Sequence, residues 1–239
     1  MKYFTKEFYA LERLSYANRY VKVSKSAERK DEAFYRRVYE KRYAVFAGFE
    51  KAFDAELCKR KFTERNSELT AIYSKLPKEI SDKIADMRVF ALGYASAEVK
   101  RLLRPYCAEL RHIVRQTRKN AYAETNEAED RLSRPLGLSE YDDRLITEIR
   151  EKDGDVYLKI EDIYLLFKAG EITEGKEKKI YPCTVYAPNS PWSRIVAGEL
   201  HANGDKFETH FLISNVDETE KEDLWYLTVR GTDVLTIHP

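Results

Sequence analysis

The hydrophobic period of this 239-residue chain changes once, near Pro135, from the helix repeat to the strand repeat. No motif in the sequence constrains the fold as strongly. Before the change, apolar residues recur every three to four positions. Phe4, Phe8, Leu11 and Leu14 share one face of a first helix, with Thr5 placed to cap it. A long second helix is predicted over about residues 26–61. Its inner stripe is Phe34, Val38, Val45, Phe49, Phe53 and Leu57, with Tyr35, Tyr39, Tyr43 and Phe46 in a second stripe beside it. A face that wide packs against more than one neighbour. A shorter helix over residues 64–76 carries Leu69, Ile72 and Tyr73. Pro77 then sits near a new helix N-terminus, and the helical pattern runs on to about Asp130. Pro105 interrupts it by removing a backbone donor, and is expected to kink or break the helix near Arg101–Arg104.

After Pro135 the period becomes two. Asp153-Gly154 is a strong two-residue turn signal. Pairing Lys152 with Asp155 places Leu145, Thr147 and Ile149 on one face with Val156, Leu158 and Ile160. Segments 164–170 and 181–187, the arms around Asn203-Gly204, and segments 224–231 and 233–237 supply further short strands. Six to eight strands at this spacing predict an antiparallel sandwich or barrel. The chain therefore reads as α+β: a helical N-terminal domain, residues 1–135, followed by an antiparallel β-sandwich or barrel-like C-terminal domain, residues 136–239.

Charge divides at the same place. The net charge of +1 conceals 30 Lys and Arg against 20 Asp and Glu up to Pro135, net +10, and 12 against 21 beyond it, net −9. Such an asymmetry points either to the halves docking on each other or to an acidic partner for the basic half. The start of the sequence has charges every few residues and does not read as a signal peptide. The apolar run Ile163–Phe167 is far too short to cross a membrane. Cys58, Cys107 and Cys183 lie far apart, which fits reduced core thiols in a cytoplasmic protein better than a disulfide frame or a zinc cage.

Two clusters bear on chemistry. In the stretch ELHANGDKFETHF, residues 199–211, a type I′ turn at Asn203-Gly204 would pair Ala202 with Asp205, Leu200 with Phe207 and Val196 with Phe211. That register sets Glu199 opposite Glu208, with His201 beside Lys206 and His210 beside Ala197. Two carboxylates in direct opposition repel each other, and a cation, a protonated histidine or a neighbouring arginine would relieve them. Glu199, His201, Glu208 and His210 are thus candidate acid–base or metal-binding residues, although no HExxH-type spacing supports a metal. The competing reading is a solvated sheet face partly neutralised by Lys206.

The second cluster is a basic stripe. At 100° per residue, Lys100, Arg104, Arg111, Arg115 and Arg118 fall within about 60° of one another on a helix. Arg111, Arg115 and Arg118 are the candidate phosphate-binding residues, and nucleic acid is the corresponding partner. Against this, the acidic half of the same chain competes for the stripe. The sequence has no Gly-rich phosphate loop, GxSxG elbow or zinc pattern, and so implies no cofactor and no metal. Trp192 and Trp225 read as core or rim anchors of the β-domain.

The opening MKYFTKE, the long tyrosine-rich helices, and the tail containing GELH, KFETHFL and LTVRGTDV resemble an uncharacterised bacterial family described only as a domain of unknown function. The resemblance implies a bacterial cytoplasmic protein and supplies no activity. Two patterned cores, a charge dipole and no catalytic constellation give the leading expectation, a non-enzymatic protein that binds another protein. A metal-dependent or acid–base enzyme and a phosphate or nucleic-acid binder are the alternatives. The sequence does not set the oligomeric state.

Overall fold

The structure is a computed structural model that describes residues 1–50, 55–175, 180–181, 192–216 and 222–238, with only the backbone at 49, 50 and 222. Its helices are α1 (Lys6–Ser15), α2 (Ala17–Tyr20), α3 (Glu32–Glu50), α4 (Ala55–Tyr73), α5 (Lys78–Ser81), α6 (Met87–Ala91) and α7 (Ala97–Glu129). Two short strands, β1 (Lys22–Val23) and β2 (Tyr94–Ala95), lie among them. Among the described residues eight more follow: β3 (Leu145–Lys152), β4 (Asp155–Ile160), β5 (Ile163–Lys168), β6 (Glu171–Glu174), β7 (Trp192–Asn203), β8 (Lys206–Val216), β9 (Glu222–Gly231) and β10 (Asp233–Ile237). The architecture is α+β, with helix giving way to strand between Glu129 and Leu145. The chain forms two compact units, a helical one (Tyr9–Arg115) and a sheet unit made of Met1–Phe8 and Gln116–Pro239. Helices α1 and α7 contribute residues to both.

In the helical unit the expected 26–61 helix is two helices. Tyr39, Tyr43 and Phe46 of α3 pack their rings on Phe62 of α4 at 5.0, 5.6 and 5.4 Å, and the Tyr39 hydroxyl lies 2.9 Å from Thr63 Oγ1. Positions 23 and 16 residues apart meet this way only when the chain reverses, because one continuous helix would hold them over 20 Å apart. The helix expected at 64–76 is the second half of α4. The expected inner stripe survives at Phe34 and Val38, while Val45 is 51% exposed and the tyrosine stripe takes over the packing; Phe49 and Phe53 lie outside the described side chains.

The continuous helical pattern expected from residue 80 to 130 is also divided. Gly93 (φ 87°) turns the chain out of α6 into β2, which pairs in parallel with β1. A Cβ at Gly93 would stand 2.8 Å from Nη2 of Arg42, whose Nε donates to the Leu92 carbonyl. Pro105 does not break α7, which runs unbroken for 33 residues. Leu103 and Cys107, on either side of the proline, are fully buried, and their packing offsets the missing backbone bond, as tertiary contacts often override local preference.

The sheet unit holds one antiparallel sheet in the order β10-β5-β4-β3-β7-β8-β9-β6. The sheet curls so that β5 approaches β9 and β4 approaches β6. Ile146, Leu158, Leu165, Ile195, Phe211 and Val229 fill the interior. Strands β10 and β6 remain edges, so the described residues form no closed barrel. The β3–β4 hairpin has the expected Lys152–Asp155 pair, with left-handed backbone at Asp153 (φ 53°) and Gly154 (φ 79°), as a type I′ turn requires. A bulge at Thr147 then reverses the alternation, so Ile146, and not Leu145 or Thr147, enters the core with Val156, Leu158 and Ile160. Most of the strand expected at 181–187, with Cys183, lies outside the described residues.

Candidate functional site

The β7–β8 hairpin is shifted two residues from the expected register. Asn203 pairs with Lys206, so the two-residue turn is Gly204-Asp205 and the left-handed φ (66°) falls on Gly204, its first central position. Glycine fills that place in a type II′ turn. A shift of two preserves both faces but changes every partner. Glu199 now stands opposite His210, and His201 opposite Glu208. The expected carboxylate–carboxylate clash is gone, because each glutamate gains an imidazole as its cross-strand neighbour. On the other side of β8, Glu208 pairs with Arg230 of β9, which binds its Oε1 through Nε at 2.7 Å and through Nη2. This arginine holds the Glu208 carboxyl below its ordinary range.

The face expected to be wet is covered. Residues 197–200 and 211–215 are buried consecutively, not alternately. Within the sheet unit, two elements lie over this region. One is the last part of α7, where Ala121, Thr125 and Ala128 are buried and Thr125 Oγ1 accepts from the Leu200 N–H. The other is the segment Met1–Phe4. A bulge at Val196 and the absence of a side chain at Gly198 let Leu138 approach the strand, since a Cβ there would sit 3.0 Å from Leu138 Cγ.

Glu199 is the centre of the site and is 0% exposed. Its Oε1 accepts from the backbone N–H groups of Tyr3 (2.8 Å) and Phe4 (2.5 Å). Its Oε2 accepts from the Lys2 N–H (2.7 Å) and from His201 Nε2 (3.0 Å). An ionised carboxylate offers about four lone-pair directions, and here each oxygen carries two donors. Burial alone would push this carboxyl up. His201 and the three backbone donors outweigh it and hold the group down at about 2.

The surrounding groups continue the same pattern. Glu124 of α7 receives the Lys2 ammonium at 2.6 Å and the Tyr3 hydroxyl at 2.5 Å, and its Oε2 lies 3.5 Å from His201 Nδ1. Lys2 and Tyr3 keep its carboxyl below the usual range. Phe4 is buried, with its ring 5.4 Å from Phe8 and 5.9 Å from Tyr122. Thr5 caps α1 by accepting from the Phe8 N–H at 3.2 Å, as the sequence predicts, and the Lys6 N–H donates to the Tyr226 hydroxyl. His210 Nδ1 lies 3.2 Å from the Met1 amine and 3.0 Å from Thr228 Oγ1, while Nε2 lies 3.7 Å from Glu208. Burial, with the Met1 amine and His201 adding to it, lowers the His210 imidazole to about 4.

The structure thus brings Glu199, His201, Glu208 and His210 together, with the histidine rings 5.4 Å apart. Among the described residues, no group of three or more His, Cys, Asp or Glu is disposed to hold a metal ion. Glu124, Arg230 and the backbone of residues 2–4 join the site without having been among the residues expected there. Only Arg230 left a usable signal, a lone cation at the strand position facing Glu208.

The basic stripe has a different setting. In the helical unit, Lys100 Nζ donates to the carbonyls of Asn18 and Val21 at the end of α2. Arg111 donates to the Ser15 carbonyl at the end of α1 at 2.9 Å, and Arg115 is exposed. Cations at helix C-termini complement the dipole. Arg118 belongs to the sheet unit, where its charge acts on Asp142. Among the described residues, no helix is long and apolar enough to cross a membrane. Comparison with protein-family models, curated proteins and solved structures finds no match for this chain.

Proposed function

We propose that the protein is a non-enzymatic protein-interaction protein of the bacterial cytoplasm. One observation carries the interaction part of this reading. The most chemically endowed cluster in the sequence engages a polypeptide backbone, with every lone-pair direction of Glu199 taken by a donor. A general base needs a free lone pair within reach of a substrate proton. A carboxylate that collects three successive N–H groups, here at a bend formed by Tyr3 and Phe4, is instead a device for gripping a turning backbone. The bacterial and cytoplasmic parts rest on the family resemblance and on the three isolated cysteines.

The test is size-exclusion chromatography of the full chain from bacterial lysate, alongside a substrate screen on the pure protein. A stoichiometric protein partner that co-elutes and is lost with Glu199→Gln supports the reading. No partner, together with turnover of a substrate by the pure protein, contradicts it.

A further inference from the structure

We propose that the Glu199 face is a receptor for a short, bent, basic–aromatic segment of a partner protein, and that residues 1–4, which bend at Tyr3 and Phe4, occupy it intramolecularly. This inference rests on the interaction reading above and names the ligand chemistry of that same site. Each position of the bound segment shows what the receptor reads. Position 2 gives a backbone N–H to Glu199 and an ammonium to Glu124. Position 3 gives a second N–H to Glu199 and a hydroxyl to Glu124. Position 4 gives a third N–H and a ring packed against Tyr122.

Two carboxylates on the receptor side meet one ammonium, one hydroxyl and three amides on the segment side, so the complementarity is in charge and in hydrogen bonding together. The receptor residues come from α7 and β7, more than 100 positions along the chain from the segment. The contact is therefore tertiary, and nothing in it requires the covalent link. The segment runs through Thr5 directly into α1, so an outside ligand must compete with an effective concentration of at least about millimolar, the range of a short link. Weakening it should open the receptor to a segment supplied in trans.

The full chain carrying Tyr3→Pro loses the central N–H donor and keeps the receptor intact. Lys2→Pro serves the same purpose if the first variant fails to fold, as judged by far-ultraviolet circular dichroism. The probe is a peptide of residues 1–8, MKYFTKEF, labelled at its C-terminus and followed by fluorescence polarisation. The folded variant should bind it saturably and at least about tenfold more tightly than the wild-type chain does. A probe with proline at position 3, and a double variant that adds Glu199→Gln, should each lose at least about tenfold in affinity.

Equal binding of the two peptides, or no saturation below about 1 mM by either folded variant, overturns the inference. So does a shift of the variant to a dimer by light scattering, because the occupant would then be a second copy of this chain. If the peptide fails while the wild-type chain still co-elutes with a partner, the inference falls and the interaction reading stands.

Discussion

Replacing Glu199 by Gln removes the charge from a side chain with no exposed surface and four donors, while keeping its shape. A carboxyl held at about 2 against an ordinary 4.5 favours the ionised form by roughly 3 kcal/mol. The glutamine oxygen retains part of that bonding, but its amide group turns donors toward backbone N–H groups. The expected loss at pH 7 is therefore about 3 kcal/mol. The pH dependence has a definite sign. Because the folded-state value is depressed, this contribution is complete above about 4.5 and disappears as pH falls toward 2. Trp192 and Trp225, the only two tryptophans, both lie in the sheet unit, so tryptophan fluorescence in urea reports that unit alone. The difference between wild type and Glu199→Gln should hold from pH 7 to 5 and shrink below 4.5. A difference under about 1 kcal/mol at pH 7, or one that stays constant down to pH 3, would show that the Glu199 charge does not stabilise the fold.

Two further groups oppose each other between pH 6.5 and 5. His210, lowered to about 4 mainly by burial, contributes stability that is lost as pH falls below 6.5. Asp142, raised to about 6 by burial and by Asp143, destabilises the fold at neutral pH and is relieved as pH falls. The two largely cancel in the wild type. In His210→Gln the Asp142 effect stands alone, so stability should rise by about 1 kcal/mol from pH 6.5 to 5 in the same urea assay; a fall there would contradict it. Gly198→Ala places a Cβ 3.0 Å from Leu138 and should cost about 1–3 kcal/mol in that assay. Lys100→Met and Arg111→Ala each remove a cation from the carbonyls that end α2 and α1. Each should destabilise the helical unit by about 1 kcal/mol by thermal melts, while Arg115→Glu should leave it unchanged.

The element types were legible because periodicity and turn chemistry are local. Asp153-Gly154 set its hairpin, and Thr5 marked the start of α1. What sequence pattern lacks is the tertiary context. Tyr39, Tyr43 and Phe46 continue a helical stripe equally well on one long helix or on two packed ones, and only Phe62 on the facing helix distinguishes these. Pro105 carries a helix-breaking preference that buried Leu103 and Cys107 override. The β7–β8 register was misplaced because Asn203-Gly204 and Gly204-Asp205 both make acceptable turns, and both keep the same residues on each face. The identity of the site residues was therefore readable while their partners were not. The decisive ligands of Glu199 are backbone amides, and a backbone N–H at Lys2, Tyr3 or Phe4 has no side-chain signature.

The grip of Glu199 on residues 2–4 is read out by amide hydrogen exchange, followed by NMR at those three positions. At pH 7 the amides of Lys2, Tyr3 and Phe4 should exchange at least about a hundredfold more slowly than in an open chain. Glu199→Gln should sharply reduce that protection while leaving the β3–β4 hairpin amides protected. Exchange of the three amides at the open-chain rate in the wild-type protein would mean that Glu199 does not hold them.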